Sequence, residues 1–96
     1  MTFNLKLLPR AEFEISNAAL WYKFKGEKLE VEFLNDLQEM LNRIAQNPFQ
    51  FQLNNRKFRQ AKFTKFPFIV IYKVIDENFI LIFSIFNTHQ NPSKKP

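Results

Sequence analysis

His89 is the only histidine of this 96-residue chain, and it stands among Asn87, Thr88, Gln90 and Asn91 directly after an apolar run. An imidazole at the polar end of a strand can move a proton. With the cations of Arg59 or Lys62 it has the ingredients of ribonuclease chemistry: a base at a 2′-hydroxyl and positive charge for the phosphorane. The plainer reading is a surface histidine in a turn. Little else in the chain could be catalytic. One glycine excludes a phosphate-cradling loop, and the absence of cysteine excludes a thiol nucleophile, a disulfide framework and thiolate-bound zinc. Ser16, Ser84 and Ser93 have no neighbouring base, and seven of the nine acids lie in the first 47 residues at positions that read as a solvated helix face. No metal or cofactor is expected, and a binding role is favoured over an enzymatic one.

The cations are the stronger signal. Residues 1–47 carry six Lys/Arg against seven Asp/Glu, whereas residues 48–96 carry eight against two. Between Pro48 and Ile75 there is no acid, and Arg56, Lys57, Arg59, Lys62, Lys65 and Lys73 are interleaved there with Phe58, Phe63 and Phe66. Such a stretch suits a polyanion or an acidic protein partner. It also suits a sheet edge kept positive against unwanted strand pairing.

The elements that must position these groups follow from periodicity. Residues 3–8 (FNLKLL) alternate and read as an opening strand that Pro9 ends. Ala11, Ile15, Ala18 and Tyr22 then recur at spacings of four, three and four, the stripe of an amphipathic helix. Gly26 is expected as its left-handed terminator, and a second helix follows with Leu29, Phe33, Leu37, Leu41 and Ile44 in a stripe widened by Leu34 and Met40. Glu39 is placed to pair with Arg43 one turn on, and Asn47-Pro48 closes the helix. From Phe49 the period becomes two, with a turn at Asn54 and Asn55 and alternation through Arg59, Ala61 and Phe63. The runs FPFIVIYKVI and FILIFSIF flank the turn at residues 76–78, apolar on both faces, and read as two central antiparallel strands.

The predicted class is α+β, in the order β-α-α-β-β-β, with a helical hairpin on one face of a twisted antiparallel sheet. Thirteen phenylalanines predict an aromatic core. A single domain over residues 1–92 is expected, followed by a frayed tail at 93–96. No secretory leader is legible, and the longest apolar run falls well short of the roughly 18 residues of a membrane span, so a soluble cytoplasmic protein is expected.

The stretch RQAKFTKFPFIVIYKV (residues 59–74) resembles the toxins of the RelE/ParE superfamily, whose pattern there is an arginine, a small residue, an apolar one, then F-P-Y/F and alternating apolar residues ending in tyrosine. FEISNAALWY is similar to that family's first helix, FLNDLQEMLNRIAQNP to its second and IFNTHQNP to its closing strand, so the likeness runs in order along nearly the whole chain. It implies the toxin of a type II toxin–antitoxin module, held by an acidic antitoxin that could also use exposed apolar positions on the helical hairpin. RelE-like members cut mRNA on the ribosome and carry an arginine in the strand that ends in tyrosine, where this chain has Ile69. ParE-like members poison DNA gyrase by binding, and the F-P-F sequence favours that branch. Arg56, Lys57, Arg59, Lys62 and Lys65 are then the expected surface for target or antitoxin, with Arg59 foremost. A ribosome-dependent endonuclease using His89 with Arg59 and Lys62 is the alternative, and a degenerate non-toxic antitoxin binder is a third.

Overall fold

Pro9 both ends the first strand and starts the first helix, because its fixed φ suits a first helical turn whose N–H groups lack partners anyway. The computed structural model describes residues 2–54, 57–90 and 95–96. The order is β1 (Asn4–Leu7), α1 (Pro9–Lys25), α2 (Glu27–Gln46), a 3₁₀ turn (Pro48–Gln50), β2 (Gln52–Asn54), β3 (Phe58–Lys62), β4 (Phe68–Asp76) and β5 (Phe79–Asn87). The strands form one sheet in the order β1-β5-β4-β3-β2. The α+β class and the helical hairpin over one sheet face are as the periodicity predicts. Two details differ. A fifth strand appears because the Lys57 N–H bonds the Asn54 carbonyl at 3.2 Å and residues 52–54 fold back on β3. The sheet is mixed because β1, left at one edge when the helices carry the chain across, receives β5 in parallel, with Leu5 opposite Ile80. The expected turn at Asn54 and Asn55 and the tail at 93–96 lie partly outside the described residues.

One residue separates the helices. The Gly26 N–H donates to the Tyr22 carbonyl at 2.9 Å, and its own carbonyl accepts from Leu29 and Glu30 at 3.0 and 3.3 Å. Gly26 is not the left-handed terminator expected: φ 162° and ψ 134° are extended backbone, and the chain turns by breaking one helix straight into the next.

Ala11, Ile15, Ala18 and Tyr22 face inward from α1, and Phe33, Leu37, Met40 and Ile44 from α2, onto Ala61, Phe63, Phe68, Val70, Tyr72, Ile80 and Ile82. Phe33 is the hub, with ring centroids 5.2 to 5.8 Å from Tyr22, Phe63, Phe66 and Phe68. Leu29 and Leu34 stay exposed at the margins of the predicted stripe. Arg43 does not pair with Glu39; its guanidinium lies over the Phe51 ring, 5.5 Å from the centroid. On the sheet's other face Ile69, Ile71 and Phe86 form a smaller cluster with Phe58. There Phe58 of β3 and Phe83 of β5 meet edge to face at 4.8 Å, which carries the rings across the intervening β4.

Candidate functional site

Two carboxylates that read as solvent-facing are structural clamps. Asp36, buried on α2, accepts from the backbone N–H groups of Thr64 and Lys65 at 3.2 and 2.7 Å and so holds the loop between β3 and β4. Glu14 on α1 accepts from the Ser84 hydroxyl at 2.7 Å and the Ile85 N–H at 3.1 Å. That contact lies where β5 carries an extra residue against β4, a bulge whose loosened backbone needs an outside acceptor. Arg10 stands 3.5 Å from the same carboxylate.

Arg59 is held as firmly. It donates to the Phe51 carbonyl at 2.8 Å, and its guanidinium lies 5.2 Å from the Phe49 ring centroid. Across the ladder from Arg59 sits Tyr72, whose hydroxyl donates to the buried Pro48 carbonyl. The pair thus clamps residues 48–51, the link from α2 into the sheet. Burial raises the Tyr72 hydroxyl well above the ordinary phenol range, with the Arg59 charge pulling part of the way back, and burial also raises that of Tyr22. The unfolded chain releases these protons near pH 10 while the folded chain keeps them. Their contribution to stability is therefore complete below about pH 10 and is lost as the pH rises above it. Tyr72→Phe should cost about 1–3 kcal/mol in chemical denaturation by orphaning the Pro48 carbonyl, and should weaken this alkaline loss.

The predicted basic surface is split by the sheet. Alternation places Arg59 with Ala61 on the helix side, and Lys62 with Gln60 and Phe58 on the open side, opposite Ile69. Lys57 is exposed at the turn before β3, and Lys65 is exposed in the loop that Asp36 holds. Arg56 lies outside the described residues. His89 is exposed just past β5, its N–H bonded to the Asn87 side chain at 2.9 Å. Lys62 and His89 lie toward the same end of the sheet, two strands apart, which is roughly 10 Å. Arg59, several residues further along and pinned to Phe51, does not join them. His89 instead opens onto a groove of about 1020 Å³ between α1 and the end of the sheet, with Phe13, Asn17 and Trp21 on one wall and Phe68 and Ile85 on the other.

The sequence reading did not single out that α1 wall. Phe13, Leu20, Trp21 and Phe24 are 65, 54, 57 and 83% exposed. The signal was present as a second set, Phe13, Asn17, Leu20 and Phe24, with the same spacing of four, three and four as the buried stripe and two residues out of step with it.

Residues 5–92 match the family described as the ParE toxin of type II toxin–antitoxin systems, parDE. The chain belongs to the ParE toxin family. Its fold is similar to that of a solved protein titled "Chromosomal ParDE TA system from P. aeruginosa", with a TM-score of 0.76 over 92% of this chain and 98% of that one at 17% identity. A comparison with curated proteins found no match. In this ParE-type chain the arginine and tyrosine that carry the family pattern are both committed to residues 48–51. Among the described residues, no helix is long and apolar enough to cross a membrane.

Proposed function

We propose that this ParE-family chain arrests growth by binding DNA gyrase in the cytoplasm, not by cutting RNA, and that an acidic antitoxin neutralises it. The observation that carries this reading is the separation of Arg59 from His89 and Lys62. A ribonuclease needs base and cations converging within hydrogen-bond reach of one phosphodiester. Here Arg59 is spent on the Phe51 carbonyl, and His89 opens onto a groove beside α1. Among the described residues, Lys57, Lys62 and Lys65 are the exposed cations of the predicted surface, and they suit an acidic partner through charge complementarity. They, and not Arg59, are the residues to alter, because reversing Arg59 would also release the 48–51 link.

The test is regulated expression of the isolated chain in bacteria, following growth and mapping transcript ends. Arrest with intact transcripts is expected, unchanged in His89→Gln. Reversing Lys57, Lys62 and Lys65 to Glu together should weaken binding of an acidic antitoxin or target by about ten- to a hundredfold while the fold survives. Codon-specific cuts that vanish in His89→Gln would establish the ribonuclease instead, and no arrest from folded protein would leave only an antitoxin binder.

A further inference from the structure

The sheet face turned away from the helices gathers cations that lie far apart in the sequence. Leu5 and Leu7 of β1 pack toward the helices, so alternation turns Lys6 to the open side. Tyr72 and Val74 do the same in β4, and Ile80 and Ile82 in β5, which leaves Lys73 and Leu81 on the open side. Pairing sets Lys6 beside Leu81 and Leu81 beside Lys73, so the two lysines stand two strands apart, roughly 10 Å. Phe58, one residue before the Arg59–Tyr72 pair, is level with Lys73 on the next strand. Lys62 faces the same way opposite Ile69, four residues along β4 from Lys73 and roughly 14 Å further on. Between them the partly exposed rings of Phe58 and Phe83 meet across β4.

We propose that this face binds single-stranded DNA, with phosphates held along the line of Lys6, Lys73 and Lys62 and bases resting on Phe58 and Phe83. Lys57, exposed at the turn before Phe58, adds a fourth cation beside the rings. The two acids of the second half, Asp76 and Glu77, sit at the β4–β5 turn, where the Asp76 carboxylate accepts from the Asn78 N–H at 2.8 Å. Lysines alone suit an acidic peptide equally well, and the rings decide between the two. A base stacks on a phenylalanine, whereas the negative face of the ring repels a carboxylate. Lys6, Lys73 and the ring pair lie outside the surface proposed above for target and antitoxin. Only the choice of DNA over RNA rests on that gyrase reading, since gyrase works on DNA.

Fluorescence anisotropy of a short labelled single strand of mixed sequence, titrated with the purified, refolded full chain over a salt series, tests the surface without gyrase. The logarithm of affinity should fall with the logarithm of salt concentration with a slope of about −3, from about −0.7 per phosphate and four lysines. Lys6→Ala and Lys73→Ala, both at exposed positions, should each weaken binding about three- to tenfold and make the slope shallower by about 0.7. Phe58→Leu should weaken binding about fivefold or more with the slope unchanged. No binding at low salt, or binding indifferent to Lys6→Ala and Lys73→Ala, overturns the inference. Binding that ignores Phe58→Leu in a folded chain overturns the role of the rings. Tighter binding of RNA of the same sequence overturns the assignment to DNA, and tighter binding of an acidic peptide overturns a nucleic acid altogether. A chain that holds the strand through these residues yet leaves gyrase untouched upholds the surface and removes only the gyrase reading.

Discussion

Phe33→Ala should cost about 3–5 kcal/mol of folding stability, the largest effect of any single truncation in this protein. Phe33 is fully buried and touches four aromatic rings drawn from α1, the β3–β4 loop and the start of β4, so no neighbour can swing in to fill the space. A chain of this size has only about 5–15 kcal/mol in total, and each kcal/mol lost lowers the melting temperature by about 4–8 °C. Thermal unfolding followed by circular dichroism should therefore shift down by roughly 12 °C or more. A loss below about 1 kcal/mol would mean that the rings do not form the single packed unit described above. Any growth arrest should fall with it, through loss of folded protein and not of contact with a target.

Asp36→Ala should follow, at about 2–4 kcal/mol, by a different mechanism. The carboxylate accepts two backbone N–H groups, and hydrogen bonds to a charged group are worth about 1.5–3 kcal/mol each before relaxation. Removing it leaves Thr64 and Lys65 without their acceptor, in the loop that leads into Pro67 and β4. Asp36→Asn keeps the shape and one acceptor oxygen, so its cost should be intermediate. Amide exchange separates this clamp from simple helix destabilisation: the Thr64 and Lys65 amides should lose protection in Asp36→Ala by more than the global stability change explains. Protection that falls only in step with global stability would show that Asp36 does not hold the loop.

The contrast between these residues shows what the sequence could carry. Phe33 was legible because a helix that buries one face repeats its apolar residues every three or four positions. Asp36 was not, because a lone acid beside such a stripe has the same pattern whether it faces water or two backbone amides. Glu14 was hidden for the same reason, its partners Ser84 and Ile85 being some seventy residues distant in sequence. The central strands β4 and β5 declared themselves as apolar runs around a short turn. The parallel partner of β5 did not, because a pairing between the two ends of the chain leaves no local trace. Arg59 was found as a motif residue, yet its neighbours Phe49 and Phe51 make it a clamp. The ring stripe on the outside of α1 was masked by its abundance, since a helix apolar on both sides gives no contrast between faces.

The proposed mode of action is binding to gyrase. It is tested most directly by adding the refolded protein to purified gyrase and relaxed plasmid and following supercoiling on a gel. Loss of supercoiling at near-stoichiometric amounts, unchanged in His89→Gln and reversed by an acidic antitoxin, is the predicted result. Undisturbed supercoiling, with mRNA cut in a translating extract by the same preparation, would contradict it.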